Sequence, residues 1–336
     1  MTIQCGFRLP SDLCYSATES EDVVEAMVSV KSTAKDDYWK KIDPWGFAFL
    51  GEVKKFTTKP LRLKFKVPSP NTPTASYKYE ALKRRVSYLA IANKTANLPI
   101  LLLKGDTVDT LYSSPKLKNR PANETIRGDI NPGRVGQVHG YLEKDFQSYL
   151  FGLGLHEASD VNSAITNERL ALLGGDFAHI PKNKYNLLRE FPTGVFDKIK
   201  KANTRILPTE FIDLVTINRD GNLAVIELKF NDSKLDVIPQ VLNYALFFHS
   251  YREQLTLLLN EKLGYKTENA ELVTYLVSNT FHPQFRTVWN YYCKGPLELK
   301  QVVMGYMPDD KKSRTNIHPT LMKCQRYDGS DQVTIP

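Results

Sequence analysis

The sequence predicts an α/β chain in two parts, a basic α+β part over residues 1–130 and a second α/β domain over 131–336. Three observations lead there. Helical and strand patterns are interspersed along the chain. The positive charge is confined to the first part: residues 1–140 hold 22 Lys and Arg against 14 Asp and Glu, whereas 141–336 hold 23 of each. Between the parts, SSPKLKNRPANETIRGDINPGR (113–134) is rich in Pro, Asn, Gly and charge and has no hydrophobic period, the composition of a boundary. At 336 residues the chain is about twice the size of a typical single domain.

The first part opens with TESEDVVEAMVSVKST (18–33), which reads as a helix. Thr18 and Glu21 make a capping box, and Val23, Met27 and Val30 recur at helical spacing. WGFAFLGEV (45–53) and PLRLKFKVP (60–68) alternate and read as strands. In the second, Leu61, Leu63, Phe65 and Val67 share one face, and Arg62, Lys64 and Lys66 share the other. Those three charges stand roughly 7 Å apart, close to the phosphate spacing of a nucleic-acid strand. An edge strand guarded by lysines gives the same pattern. VPSPNTPTAS (67–76) reads as a loop, 77–94 as a helix carrying the cluster Lys83, Arg84, Arg85, and LPILLL (98–103) as a buried strand. Residues 51–127 hold 16 basic against 5 acidic residues, the charge footprint of a polyphosphate partner or of a plain solvated face.

In the second part, GYLEKDFQSYLF (140–151) is predicted helical, 209–217 and 222–230 are predicted strands, 239–263 a single long helix opened by Pro239, and 271–279 a strand. After about 307 the text turns loop-like. Cys5, Cys14, Cys293 and Cys324 are too scattered for a disulfide framework and form no CxxC, so they are expected as reduced thiols with no zinc. The six histidines form no HxxxH, and no GxxxxGK[ST] occurs. No apolar run of about 18 residues and no signal-peptide pattern in MTIQCGFRLP is present, which predicts a cytoplasmic chain away from membranes.

The chemistry concentrates in FIDLVTINRDGNLAVIELKF (211–230). Asp213, Glu227 and Lys229 sit inside two apolar β-runs, where unpaired charge is costly. Asn218 and Asn222 flanking a loop of Arg219, Asp220 and Gly221 make a type I turn closed by a left-handed glycine. Counting back five residues on each strand puts Asp213 opposite Glu227, with Lys229 on their face. A two-residue Asp220-Gly221 loop would instead pair Asp213 with Leu228 and separate the carboxylates onto opposite faces. Two facing carboxylates need a cation or a proton between them, and Mg²⁺ suits carboxylate, carbonyl and water oxygens. A strand-borne salt bridge of the three side chains is the plainer alternative.

The spacing D-x13-E-x-K on a hairpin resembles the PD-(D/E)xK nuclease superfamily. So do the helix before it carrying Glu143 and the helix after it carrying Gln240 and Tyr244 in a Q-x-x-x-Y arrangement. The resemblance covers about 140–280, with Ile212 in place of the proline and an insertion over 152–206. It implies a restriction-endonuclease-like mixed central sheet flanked by helices. It also implies catalytic roles for Glu143, Asp213, Glu227, Lys229 and Gln240, and a Mg²⁺ (or Mn²⁺) held by Asp213, Glu227 and the Leu228 carbonyl. Gln240 would orient Lys229 or touch the phosphate backbone, while Tyr244 reads equally as a core aromatic. Glu157 and Glu168 are weaker rivals to Glu143. The implied activity is a metal-dependent DNA endonuclease, and the family's common arrangement for cutting both strands implies a homodimer. The basic region (Arg62, Lys64, Lys66, Lys83, Arg84, Arg85) would grip DNA or a protein partner. Restriction, mobile-element processing and, by analogy, phage defence are the settings it suggests. An inactive nuclease fold that only binds, and a ribonuclease, are the competing readings.

Overall fold

A computed structural model describes residues 3–34, 37–113, 124–126, 143, 147, 187–218, 220–263, 270–306 and 321–327. The first five strands are β1 (Leu13–Glu19), β2 (Val24–Val30), β3 (Leu61–Val67), β4 (Ile100–Lys104) and β5 (Thr107–Val108), and they form one sheet in that order. β2, β3 and β4 run parallel, so each step needs a crossover. The crossovers are the helices α1 (Ile42–Val53) and α2 (Pro73–Ala92). Leu63, Phe65 and Val67 of β3 are buried, and Arg62, Lys64 and Lys66 lie on the opposite face as the alternation demands. β3 is the middle strand, so the lysine row does not guard an edge.

A small sheet joins β6 (Glu124–Ile126), β8 (Val195–Asp197) and β9 (Arg205–Leu207), with β8 central. The larger sheet has six strands. Its first three, β7 (Leu187–Pro192), β10 (Phe211–Ile217) and β11 (Leu223–Lys229), are antiparallel neighbours. The helices α3 (Val237–Ser250) and α4 (Arg252–Leu263) then lead to β12 (Leu272–Ser278), which lies parallel to β11. The helix α5 (Phe285–Tyr292) leads to β13 (Glu298–Tyr306), parallel to β12, and β14 (Leu321–Tyr327) closes the sheet antiparallel. The result is a mixed α/β architecture, and one hydrophobic core runs through both halves. α1 and α2 meet α3 and α5 between the two larger sheets. No helix among the described residues is long and apolar enough to cross a membrane.

Several sequence expectations are corrected here. Residues 18–33 are not a helix but the end of β1, a turn and β2. Val24, Ala26 and Val28 are buried at period two, and the Ser20 hydroxyl bonds the Val23 carbonyl across the turn. Residues 45–53 are not a strand but most of α1. That helix is covered by the sheet on one side and α5 on the other, so it is apolar all round and shows no stripe. A Cβ on Gly46 would collide with the Phe65 ring, which shows how closely α1 lies on β3. The long helix expected over 239–263 is broken at Tyr251, whose ring is buried and whose hydroxyl accepts a hydrogen bond from Arg84. β7, α5 and β14 have no counterpart in the sequence expectations.

Arg84 and Arg85 are also corrected, because neither reaches solvent. Arg85 is 0% exposed. Its Nε and one terminal nitrogen each bond an Asp43 oxygen at 2.7 Å, its other nitrogen bonds Asn243 at 2.9 Å, and it also donates to the Trp39 carbonyl. Tyr292 donates to the same Asp43. Arg84 bonds Glu80 and Tyr251, each at 2.8 Å. These two arginines tie α2 to α1, α3 and α5, and a phosphate cannot reach them. Lys83, mostly covered, bonds Asp109 at 3.0 Å. Arg62 and Lys64 pair with Glu25, and Lys66 with Asp106, so two carboxylates balance two of that row's three charges.

Candidate active site

The hairpin of β10 and β11 adopts the three-residue loop. Leu214 faces Ile226 and Ile217 faces Leu223, the register that carries Asp213 to Glu227. Gly221 has φ of 79°, a conformation costly for any residue with a Cβ. The Asn218 side chain caps the turn by accepting from the backbone N–H groups of Asp220 and Asn222, at 3.1 and 2.9 Å. The turn residues therefore set the register, and the register sets the site.

Around that register the side chains converge. Glu227 is buried, and one of its oxygens lies 2.6 Å from Lys229 Nζ. Lys229 also reaches Glu143 Oε1 at 3.2 Å and the Leu228 carbonyl at 2.9 Å. Asp213 Oδ2 accepts the Leu228 N–H at 2.8 Å. Its Oδ1 accepts from Gln147 Nε2 at 2.8 Å, and Gln147 in turn accepts from Arg189 Nε at 2.7 Å. Glu143 and Gln147 are both helical and four residues apart, so one helical face supplies both. The structure thus brings together Glu143, Asp213, Glu227, Leu228 and Lys229. It adds Gln147 and Arg189 as a chain that fixes the Asp213 carboxylate. Gln147 stands one helical turn after Glu143, a signal visible in the sequence but not used.

Gln240 is placed differently from expectation. Its amide donates to Tyr244 Oη at 2.7 Å, and Tyr244 donates to the Phe211 carbonyl at 3.0 Å. Tyr244 is a core aromatic that pins α3 to the start of β10, and Gln240 supports it. Glu157 and Glu168 lie outside the described residues, as does most of the expected 113–134 boundary.

The electrostatics follow from burial. Burial pushes Asp213 up to about 7, against opposing pulls from Lys229 and the Leu228 N–H. Burial raises Glu227 well above the carboxylate range, and the Asp213 charge pushes it further. For Lys229, burial works against the charged form, but Glu227, Asp213 and Glu143 together raise its pKa, so it stays a cation. The second oxygen of Glu227 is buried with no hydrogen-bond partner among the described residues. An orphaned carboxylate oxygen beside a second carboxylate fits a hard cation. Among the described residues no group of three or more His, Cys, Asp or Glu is arranged to hold a metal. The oxygens this site offers a cation are the carboxylates of Asp213 and Glu227 and the Leu228 carbonyl, the hard-donor chemistry that suits Mg²⁺.

No protein-family model matches the sequence, and no curated protein matches it.

Proposed function

We propose that this chain is a metal-dependent nuclease that hydrolyses phosphodiester bonds in DNA. The observation that carries the reading is the partnerless buried oxygen of Glu227, set beside Asp213 and a lysine held cationic. That oxygen accepts from no N–H or O–H donor among the described residues, so it is satisfied either by a proton shared with Asp213 or by a bound cation, and a cation allows both carboxylates to be ionised beside Lys229. The αβ-mixed sheet with helices against it is compatible with the restriction-endonuclease-like architecture that the resemblance implies.

Asp213, Glu227 and the Leu228 carbonyl would hold Mg²⁺, with Mn²⁺ able to substitute. Bound there, the metal would polarise a phosphoryl oxygen and lower the pKa of a water. Lys229 is protonated, so it does not take a proton at neutral pH. It would stabilise negative charge growing on the phosphoryl oxygens and orient the attacking water by donating to its oxygen, while that water's proton passes to bulk solvent. Glu143, whose side chain is 35% exposed, restrains the lysine from the solvent side. Gln147 and Arg189 keep Asp213 in one orientation, so little reorganisation is left for the reaction.

The test is cleavage of supercoiled plasmid, linear DNA and RNA with Mg²⁺, Mn²⁺ or EDTA, comparing wild type with Glu227→Ala and Lys229→Ala. Metal-dependent cutting of DNA that both substitutions abolish, with folding retained, is the expected result. Cutting that survives both substitutions would refute the site. Cutting of RNA alone would move the substrate class.

A further inference from the structure

The ladder that carries Asp213 does not stop at the site. Phe211 faces Pro192, Thr193 and Glu210 exchange backbone and hydroxyl bonds, and Val195 faces Leu207. β8 and β9 therefore extend the β7–β10 hairpin outward from the carboxylate, through a close approach at Gly194. A Cβ there would collide with Thr209 Oγ1. From Asp213 to Arg205 is eight residues, so the base of the arm's tip lies at most about 26 Å from Asp213 at ~3.3 Å per residue.

The tip is KIKKANT (198–204), with Lys198, Lys200 and Lys201 all exposed. It is ordered from within. Thr204 Oγ1 donates toward the carbonyls of Ile199 at 2.5 Å and Lys201 at 3.0 Å, and accepts the Lys201 N–H at 3.2 Å. Lys198 is held at φ of 63°, an uncommon conformation for a residue with a side chain. The arm is also braced from the other half of the chain. The Arg205 guanidinium lies 5.4 Å from the Tyr77 ring of α2 and 5.6 Å from the Phe196 ring. A plain solvated tip needs neither bracing nor an exposed isoleucine, yet Ile199 is 51% exposed between the lysines.

We infer that the β8–β9 arm is a backbone clamp for the nucleic acid, its lysines contacting phosphates along the strand away from the phosphate at Asp213 and Glu227. The inference rests on the nuclease reading for its geometry, but its test does not require cutting. Binding of a short fluorescent DNA duplex is followed by anisotropy in EDTA across a salt series. The comparison is wild type, Lys198→Asn/Lys200→Gln/Lys201→Gln, and Lys200→Arg/Lys201→Arg. Asn tolerates the left-handed backbone, and the arginine variant keeps the charge. Each lost phosphate contact lowers the slope of log affinity against log salt by about 0.9, so the triple variant is expected to lose about 2–3 from the slope and the arginine variant none. An unchanged slope in the triple variant, or no binding by wild type, overturns the clamp while leaving metal-dependent cutting to be judged separately. Equal loss of binding to polyglutamate would point to an acidic protein partner and overturn it too. A lost slope in a protein that cuts nothing keeps the clamp and refutes the nuclease.

Discussion

Gln147→Leu separates an arranged site from a chance meeting of charges. Gln147 is 1% exposed and makes two bonds that matter, donating to Asp213 Oδ1 at 2.8 Å and accepting from Arg189 Nε at 2.7 Å. Each involves a charged group and is worth roughly 1.5–3 kcal/mol. Leucine fills most of the volume, so packing offsets part of the loss, and a net destabilisation of about 3 kcal/mol is expected. Losing a donor also favours the neutral form of Asp213, raising a carboxyl already pushed to about 7 and weakening any cation there. Urea unfolding with and without Mg²⁺ reads both effects. The wild type should gain about 2.7 kcal/mol at a Mg²⁺ concentration a hundredfold above its dissociation constant, and the variant markedly less at the same concentration. Gln147→Glu should keep the Arg189 bond but replace the amide's donation to Asp213 with a carboxylate, which raises the Asp213 carboxyl further in the metal-free protein. A Gln147→Leu protein within about 0.5 kcal/mol of wild type, with the same Mg²⁺ response, would refute the reasoning.

Two further outcomes are expected. The pair of Asp213 and Glu227 is raised in the folded state, so without metal its contribution favours folding below the unfolded Asp value of 3.8 and is lost as pH rises through about 7. Mg²⁺ binding should therefore release more protons at pH 6, where Asp213 is still protonated, than at pH 8, which calorimetry in two buffers of different ionisation enthalpy measures; equal release at both would contradict the Asp213 shift. Asp43→Asn strands Arg85 in the core and should cost about 3–5 kcal/mol, whereas Asp43→Leu with Arg85→Met should cost less than the single change. Neither should alter the salt dependence of nucleic-acid binding, since Arg85 faces three helices and not solvent.

Local chemistry was legible wherever one short segment decides it. The residues 218–222 set the hairpin register by turn type alone, because Asn218 can cap and Gly221 can turn left-handed, and that register brings Asp213 to Glu227. The helix of α2, the strands β3 and β4, and the strands β10, β11 and β12 show in the text because each has one buried face and a clear period. α1 does not, since it is buried between a sheet and a helix and its pattern has no polar side.

What only the tertiary structure decided is which charges face water and which face each other. The sequence places Lys83, Arg84 and Arg85 together on α2, and nothing local distinguishes a phosphate-binding cluster from an anchor. Burial against Asp43, Asn243 and Tyr251, residues 42 to 167 positions away, makes Arg84 and Arg85 structural. The same dependence on distant partners hid the link from Arg189 through Gln147 to Asp213, which joins three separated elements. The sequence by itself determined the hairpin and narrowed it to two registers, because turn geometry and strand alternation act over a few residues, and the folded ladder selected the one that pairs the carboxylates. The orphaned oxygen of Glu227, the cationic state of Lys229 and the arm running outward from Asp213 come from desolvation and sheet pairing, which exist only once the chain has folded.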